Sequence, residues 1–382
     1  MKIAIVGGGP SGLFFARLMK RAKAGHDITV FEQNPADATF GFGVGLGAKS
    51  LDLIRRYDPA VHEKMTAQMV FNNRQMIHLN GEEILLEYAA AGGAIARLGL
   101  LQVLQAACAD AGIGVRHDTR LDDAGALSGY DLVVGADGIN SLVRQHHADA
   151  FGAKVSYLTN KFAWFGVADD MTPSGLTFRR LGDEVHVGHF YRYAPGMSTF
   201  VAECDAHTWE CSGLATMDDE ARRVRIEAIF APELAGRPLV ENRSIWRNFP
   251  VTTTQSWTAG NVVLLGDALR SAHFSIGSGT RLAMEDSIAL FDAFRETGDD
   301  VPAALARFVA IRKPVRDRFG SAAERSFLWY EQVRQAMDQP IIDFVHDFLT
   351  RTGRVDDRRL ESYCPGFFQL YRDHRGASAA AV

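Results

Sequence analysis

Cysteine is scarce in this chain. The four present, Cys108, Cys204, Cys211 and Cys364, form no Cys-x-x-Cys pair, so neither a zinc site nor a disulfide framework is expected. Long apolar runs are also missing: none approaches the ~18 residues that a membrane span needs. After Met1-Lys2-Ile3-Ala4-Ile5-Val6 the chain enters glycines, where a signal peptide would need a longer apolar core. The expectation is a cytoplasmic protein with no membrane contact. No sign of charge dominates, since 41 Lys+Arg against 46 Asp+Glu gives −5. Such a balance excludes a general attraction to nucleic acid and leaves room for a basic pocket that takes one anionic ligand. Internal repeats and low-complexity tracts are absent, which excludes solenoids and long linkers.

What is there is an ordinary globular composition, 47% apolar, 23% charged and 10% aromatic over 382 residues. That length suits about two to three domains at ~150 residues each. Residues 2–6 read as a buried strand, Gly7-Gly8-Gly9-Pro10-Ser11-Gly12 as a turn into a helix carrying Leu13, Phe14, Leu18 and Met19, and 28–31 as a second strand. This is the strand, glycine turn, helix and strand of a nucleotide-binding sheet. Alternation of β-branched and aromatic residues over 69–86 and 162–204 predicts antiparallel strands. Helices are expected over 97–109 and from Arg281, buried strands over 131–135 and 262–265, a helical tail over 302–350 and a frayed end over 376–382. The expected class is α/β: a Rossmann-like domain (1–68, 97–155 and 259–382, with the C-terminal helices) interrupted by a mostly antiparallel sheet domain (69–96 and 156–258).

The glycines carry the first chemical signal. Gly7-x-Gly9-x-x-Gly12 is followed, twenty positions on, by Glu32 and then Gln33. The first glycine permits the tight turn, the second lets backbone approach a pyrophosphate, the third lets helix and strand pack closely, and the acid reaches a ribose. A second match, Gly43-x-Gly45-x-x-Ala48, has no strand before it and reads as part of a mobile glycine-rich loop, 41–47. Two acid–glycine turns follow buried strands, Asp137-Gly138 and Gly266-Asp267, where open α/β sheets bind ligands; each reads equally well as a plain Asp turn. Beyond them, Ser275-Ile276-Gly277-Ser278-Gly279-Thr280 opens a helix whose free N–H groups suit a negative charge, or a simple cap.

Taken together, these residues resemble the class A flavoprotein aromatic hydroxylases, with the p-hydroxybenzoate hydroxylase fold, over about residues 1–350. The fingerprint 7–12, Arg97-x-x-Leu100-x-x-x-Leu104, Asp137-Gly138 and Gly266-Asp267 occur in that family's order. The segments 241–250 and 273–280 are similar to those of salicylyl-CoA 5-hydroxylases and, more distantly, of the hydroxylase of violacein synthesis. Where many members carry prolines before the ring-side glycines, this chain has His273-Phe274. The resemblance implies FAD, with NADH or NADPH as transient reductant, O2 as co-substrate and reaction through a flavin C(4a)-hydroperoxide. It implies FAD contacts from Gly7, Gly9, Gly12, Glu32, Gln33, Arg97, Leu121, Asp137, Gly138, Gly266, Asp267, Gly277, Gly279 and Thr280.

Substrate contacts are read at Phe42, Val44, His189 and Tyr191, and His273 as the base near a phenol hydroxyl, each against a structural alternative. Phe162, Trp164, Phe165, Phe190, Tyr191 and Tyr193 read either as cavity walls or as core. Arg179, Arg180, Arg192, Arg243 and Arg247 are available for the phosphates of coenzyme A. The expected activity is hydroxylation of an aromatic acyl-CoA, salicylyl-CoA to gentisyl-CoA, by a monomer or homodimer. A two-component monooxygenase acting on a free or other CoA-linked aromatic such as anthraniloyl-CoA, and a non-enzymatic flavin-binding protein, are the alternatives.

Overall fold

The computed structural model describes residues 1–277 and 279–380. Two sheets organise it. The first has six strands in the spatial order Thr258–Ala259, Val262–Leu264, Leu132–Gly135, Lys2–Val6, Asp27–Phe31 and Gly114–Arg116. All its pairings are parallel except the short Thr258–Ala259 edge. Helices cover both faces, so the central strand reads as an unbroken apolar run, with Ile3, Ala4 and Ile5 fully buried. Helix Pro10–Ala22 packs between helices Arg97–Asp110 and Gly279–Thr297.

The second sheet has nine strands. Along its path run Leu239–Val240, Lys154–Val167, Met197–Cys204, Glu184–Ala194, Ser174–Leu181, Val70–Leu79, Glu82–Ala96 and Gly43–Leu46, with Arg247–Thr253 paired to Lys154–Val167. Its pairings are antiparallel except that Val70–Leu79 runs parallel to Ser174–Leu181. The strand Gly43–Leu46 is a correction, because a mobile loop is expected there. Its hydrogen bonds to Gly93–Ala96, a partner fifty residues away, select an extended conformation that glycines at alternate positions do not announce.

Side chains alternate across this sheet. Ala163, Phe165, Val167, Phe190, Phe200 and Ala202 face outward into a core closed by Ile226, Ile229 and Phe230. The inner face carries Phe162, Trp164, Val187, His189, Tyr191, Val201 and Glu203. Phe165 and Phe190, expected as possible cavity walls, therefore belong to the outer core.

The helical tail packs on the inner side as well. Tyr330, Val333, Phe344, Val345, Phe348 and Leu360 bury Ile77, Leu79, Leu176, Phe178 and Val187. The tail ends in helix Pro365–Ala380, which takes in 376–380 of the expected frayed end, while 381 and 382 lie outside the described residues. Phe367 anchors that helix in the same cluster.

Candidate functional site

The glycine turn after the first strand is locked by contact distances. Gly7 has φ +104°, and a Cβ there would sit 2.4 Å from the Ala136 carbonyl oxygen. A Cβ on Gly12 would lie 2.2 Å from the Gly7 oxygen, whereas one on Gly9 would meet nothing closer than 3.9 Å. Gly9 thus presents bare backbone at the N-terminus of helix Pro10–Ala22, and no side chain caps that terminus. Glu32 ends the next strand, and its Oε2 accepts the Gly8 N–H (2.7 Å) while Oε1 accepts from Asn34 N and Nδ2. Three of about four acceptor sites are filled, which leaves the carboxylate able to take one hydroxyl. Gln33 is exposed beside it and Leu121 is half-buried.

The two acid–glycine turns lie side by side, because the strands that precede them pair in register. Asp137 serves its own turn: Oδ1 accepts from Ser141 Oγ (2.5 Å) and Oδ2 from Val143 N (3.2 Å). Asp267 differs, being solvent accessible with protein on its other sides. Burial raises its pKa, and the nearby cations Arg316 and Arg97 oppose the rise. Arg97, at the first position of its helix, donates from Nε to Thr39 Oγ1 (3.2 Å).

Arginines not foreseen from sequence fasten these turns. Arg144, 4% exposed, donates to the carbonyls of Ile139 and Ala268 and so ties one turn to the other. Fully buried Asp286 accepts from Gly266 N (3.1 Å) and from Arg312 Nε (2.7 Å), and Arg316 bonds the carbonyls of Gly266 and Arg270. Arg312 and Arg316 stand four apart on one face of helix Val301–Glu331. That spacing of charges on a buried face is the signal that sequence reading passed over.

The ring-side turn is a short 3-10 turn, Phe274–Ile276, followed by Gly277 at φ +55° and by helix Gly279–Thr297, which Gly279 and Thr280 open. Ser278 lies outside the described residues. His273 precedes the turn, 4% exposed, and its Nδ1 accepts the Ser275 N–H (3.2 Å). Its ring stacks on Phe274 (4.2 Å between centroids) and meets Phe249 edge-on (4.6 Å). Burial, assisted by the Arg351 charge, pushes its pKa down to about 3. A histidine so weakly basic, with Nδ1 already engaged, holds the turn and is poorly matched to take a phenol proton near neutral pH.

Phe274 also packs on Phe162 (4.7 Å), which sets the turn against the inner face of the large sheet. There His189, pushed down to about 4 by burial, lies 5.3 Å from Tyr191. The Tyr191 hydroxyl donates to the Gly43 carbonyl (2.8 Å), and burial raises its pKa. Phe42 and Val44 are buried, 8% and 7% exposed; the Phe42 ring lies against Gly166 and packs with Tyr193. Both are packed at the sheet edge. Glu203, also unforeseen, lies 4% exposed and accepts from Asn160 Nδ2 (2.8 Å); burial pushes its pKa up to about 7. No group of His, Cys, Asp and Glu suited to a metal ion occurs among the described residues.

The five arginines sort by partner. Arg179 pairs with Glu233, Arg180 with Asp338 and Arg192 with Asp170. Among the described residues Arg243 and Arg247 pair with no carboxylate and lie over the rings of Phe40 (4.4 Å) and Phe162 (5.5 Å).

Comparison with known proteins agrees with this geometry. Residues 128–322 match the family described as FAD binding domain, and residues 5–36 match the NAD(P)-binding Rossmann-like domain. The chain is 37% identical to the salicyloyl-CoA 5-hydroxylase of a Streptomyces species over 92% of this chain and 70% of that one. It is 33% identical to the 3-hydroxy-4-methyl-anthranilyl-[aryl-carrier protein] 5-monooxygenase of Streptosporangium sibiricum, over 94% of this chain and 97% of that one. The fold is shared with 2-methyl-3-hydroxypyridine-5-carboxylic acid oxygenase, at a TM-score of 0.69, 17% identity and coverage of 94% and 95%. No helix among the described residues is long and apolar enough to cross a membrane. A glycine cradle for a dinucleotide, a ring-side turn set against an aromatic sheet face, and relatives of this similarity together show that the chain belongs to the FAD-dependent aromatic hydroxylases, monooxygenases that use NAD(P)H as reductant.

Proposed function

We propose that this protein hydroxylates the ring of an aromatic acyl thioester, with salicylyl-CoA to gentisyl-CoA as the favoured pair. The observation that carries the reading is the contact of Phe274 with Phe162, which sets the ring-side turn against an aromatic sheet face. The cradle fits FAD. Gly9 offers bare backbone at a helix N-terminus for the pyrophosphate, with Arg97 as a second cation; Glu32 can accept a ribose hydroxyl; and accessible Asp267 can accept from the ribityl chain. Asp137, Gly138, Gly277 and Gly279 shape the turns that these contacts need. Bound FAD supplies reduction by the nicotinamide and activation of O2, chemistry that no side chain here provides.

The protein's own residues orient and enclose the substrate. Trp164, His189 and Tyr191 line the inner face that an aromatic ring can pack against, and fixing that ring near the reacting oxygen is worth several kcal/mol of barrier in general. Arg243 and Arg247, paired with no carboxylate among the described residues and set beside aromatic rings, suit the phosphates of coenzyme A. The resemblance to a relative that acts on an aryl group tethered to a carrier protein favours a second reading, an anthraniloyl-type thioester.

The test is product identification from purified protein, FAD, NADH or NADPH, and a panel of aryl-CoA esters with the matching free acids. Salicylyl-CoA turned over faster than salicylate, with nicotinamide oxidised by this protein alone, supports the reading. Preference for the free acid sinks the thioester assignment, and oxidation that needs an added reductase sinks the single-component one.

A further inference from the structure

Arg351 follows helix Ile341–Thr350 and turns back into the molecule. Its Nε–H donates to Ser326 Oγ (3.0 Å), an Nη2–H to the Ser275 carbonyl (2.7 Å), and an Nη1–H to the Phe348 carbonyl. Ser326 Oγ in turn lies 2.8 Å from Ser275 Oγ, so the guanidinium grips the ring-side turn directly and through one hydroxyl. Its plane lies over the Phe348 ring at 4.1 Å.

Three of its five N–H groups are used, which leaves two. Among the described residues no carboxylate pairs with it. The groups around it are neutral or nearly so: Tyr88, Tyr330 and Tyr363 from three elements, and His189 and His273. Asp347 acts on it less than the three tyrosines do, and that carboxylate is engaged by Trp329 Nε1–H (2.7 Å). Arg351 is nevertheless part-accessible, as are His189 and Tyr191, and its bond to Ser275 holds it beside the turn whose Phe274 packs on the sheet face through Phe162. Its charge reaches both the sheet and the turn, adding to the burial that lowers the pKa of His189 on the one and of His273 on the other.

An enclosed guanidinium without an anion is a poor structural choice, since a chain free to pack that site could use an apolar residue. We propose that Arg351 is the oxyanion-recognition residue of the substrate cavity, receiving the phenolate oxygen of the aromatic substrate. The inference rests on the hydroxylase reading and deepens it. Ring attack is favoured by loss of the phenol proton, and His189 and His273 are both too weakly basic to take it. A cation in contact lowers the pKa of the phenol itself, by roughly one to three units. The proton leaves to bulk solvent as the substrate enters, and the anion is held on the two unused N–H groups.

A chromophoric phenol, 2-hydroxy-4-nitrobenzoic acid, offered free and as its CoA thioester to the FAD-loaded protein, tests this by the pH dependence of its phenolate band. The bound phenol is expected to ionise about one to two pH units below its value in water. Arg351→Met abolishes the shift and Arg351→Lys keeps part of it, with the bound-flavin spectrum serving as the folding control. If the Met variant does not fold, Arg351→Gln, which retains a donor toward Ser275, replaces it. A wild-type-sized shift in the charge-free variant overturns the inference. A wild-type protein that binds the thioester with no shift also overturns it and leaves the acyl-CoA reading standing. A shift seen with the free acid alone sinks the acyl-CoA reading and leaves Arg351 in its role.

Discussion

Single residues decide the cofactor cradle by space and sign. Gly7 combines a left-handed φ with a wall of Ala136 backbone, so Gly7→Ala carries strain of about 1–3 kcal/mol and pushes the turn open. The variant is expected to purify with little flavin, read from the ratio of flavin to protein absorbance; full flavin content would contradict the cradle. Arg243 and Arg247 act, on the proposed reading, only on the nucleotide end of the substrate. Replacing both by Ala is expected to raise KM for an aryl-CoA about tenfold or more, as loss of one or two charge-assisted contacts does, with kcat nearly unchanged. An equal effect on a free aromatic acid would remove them from that role.

At the scale of elements, the helices that follow the last parallel strand hold its turn through buried charge. Asp286 is fully buried and balances Arg312 and Arg316, both nearly so. Asp286→Ala leaves Arg316 without its ion-pair partner and Arg312 with Glu285 alone, and frees the Gly266 N–H, which costs about 3–5 kcal/mol. A drop in the urea midpoint with loss of bound flavin is expected, because the turn that carries Asp267 loosens with it; an unchanged midpoint would show the network to be dispensable. The strand Lys2–Val6 was legible from sequence because sheet burial on both faces demands an unbroken apolar run. The strand Gly43–Leu46 was not, because glycines at 43, 45 and 47 erase the side-chain alternation and only pairing with Gly93–Ala96 reveals it.

For the whole molecule, pH response is set by groups taken out of water. Glu203 is held protonated up to about 7, so between its usual value and 7 the folded state binds the extra proton. Stability from this group is therefore present at low pH and lost as pH rises through about 7. Glu203→Gln keeps an acceptor for Asn160 and removes that loss, and is expected to gain up to roughly 3 kcal/mol relative to wild type at pH 8 over pH 5. Urea midpoints at the two pH values measure it, and a pH-independent difference would contradict it. His189 and His273 act the other way. Held neutral, they contribute stability that is present above pH 6.5 and lost as pH falls toward 4 and 3.

The amino-acid order alone carried the nucleotide half of this protein, since a glycine fingerprint, an acid twenty residues on and buried strands are local patterns that the backbone obeys wherever they fall. It also carried the order of the two acid–glycine turns and the ring-side glycines. Only the tertiary structure decided which side chains share the inner face: it turned Phe165 and Phe190 outward, made His273 a brace for the turn, and brought Arg144, Asp286, Glu203 and Arg351 to the site. Those roles depend on contacts between residues tens to hundreds of positions apart, and on a scarcity of water that no stretch of sequence displays.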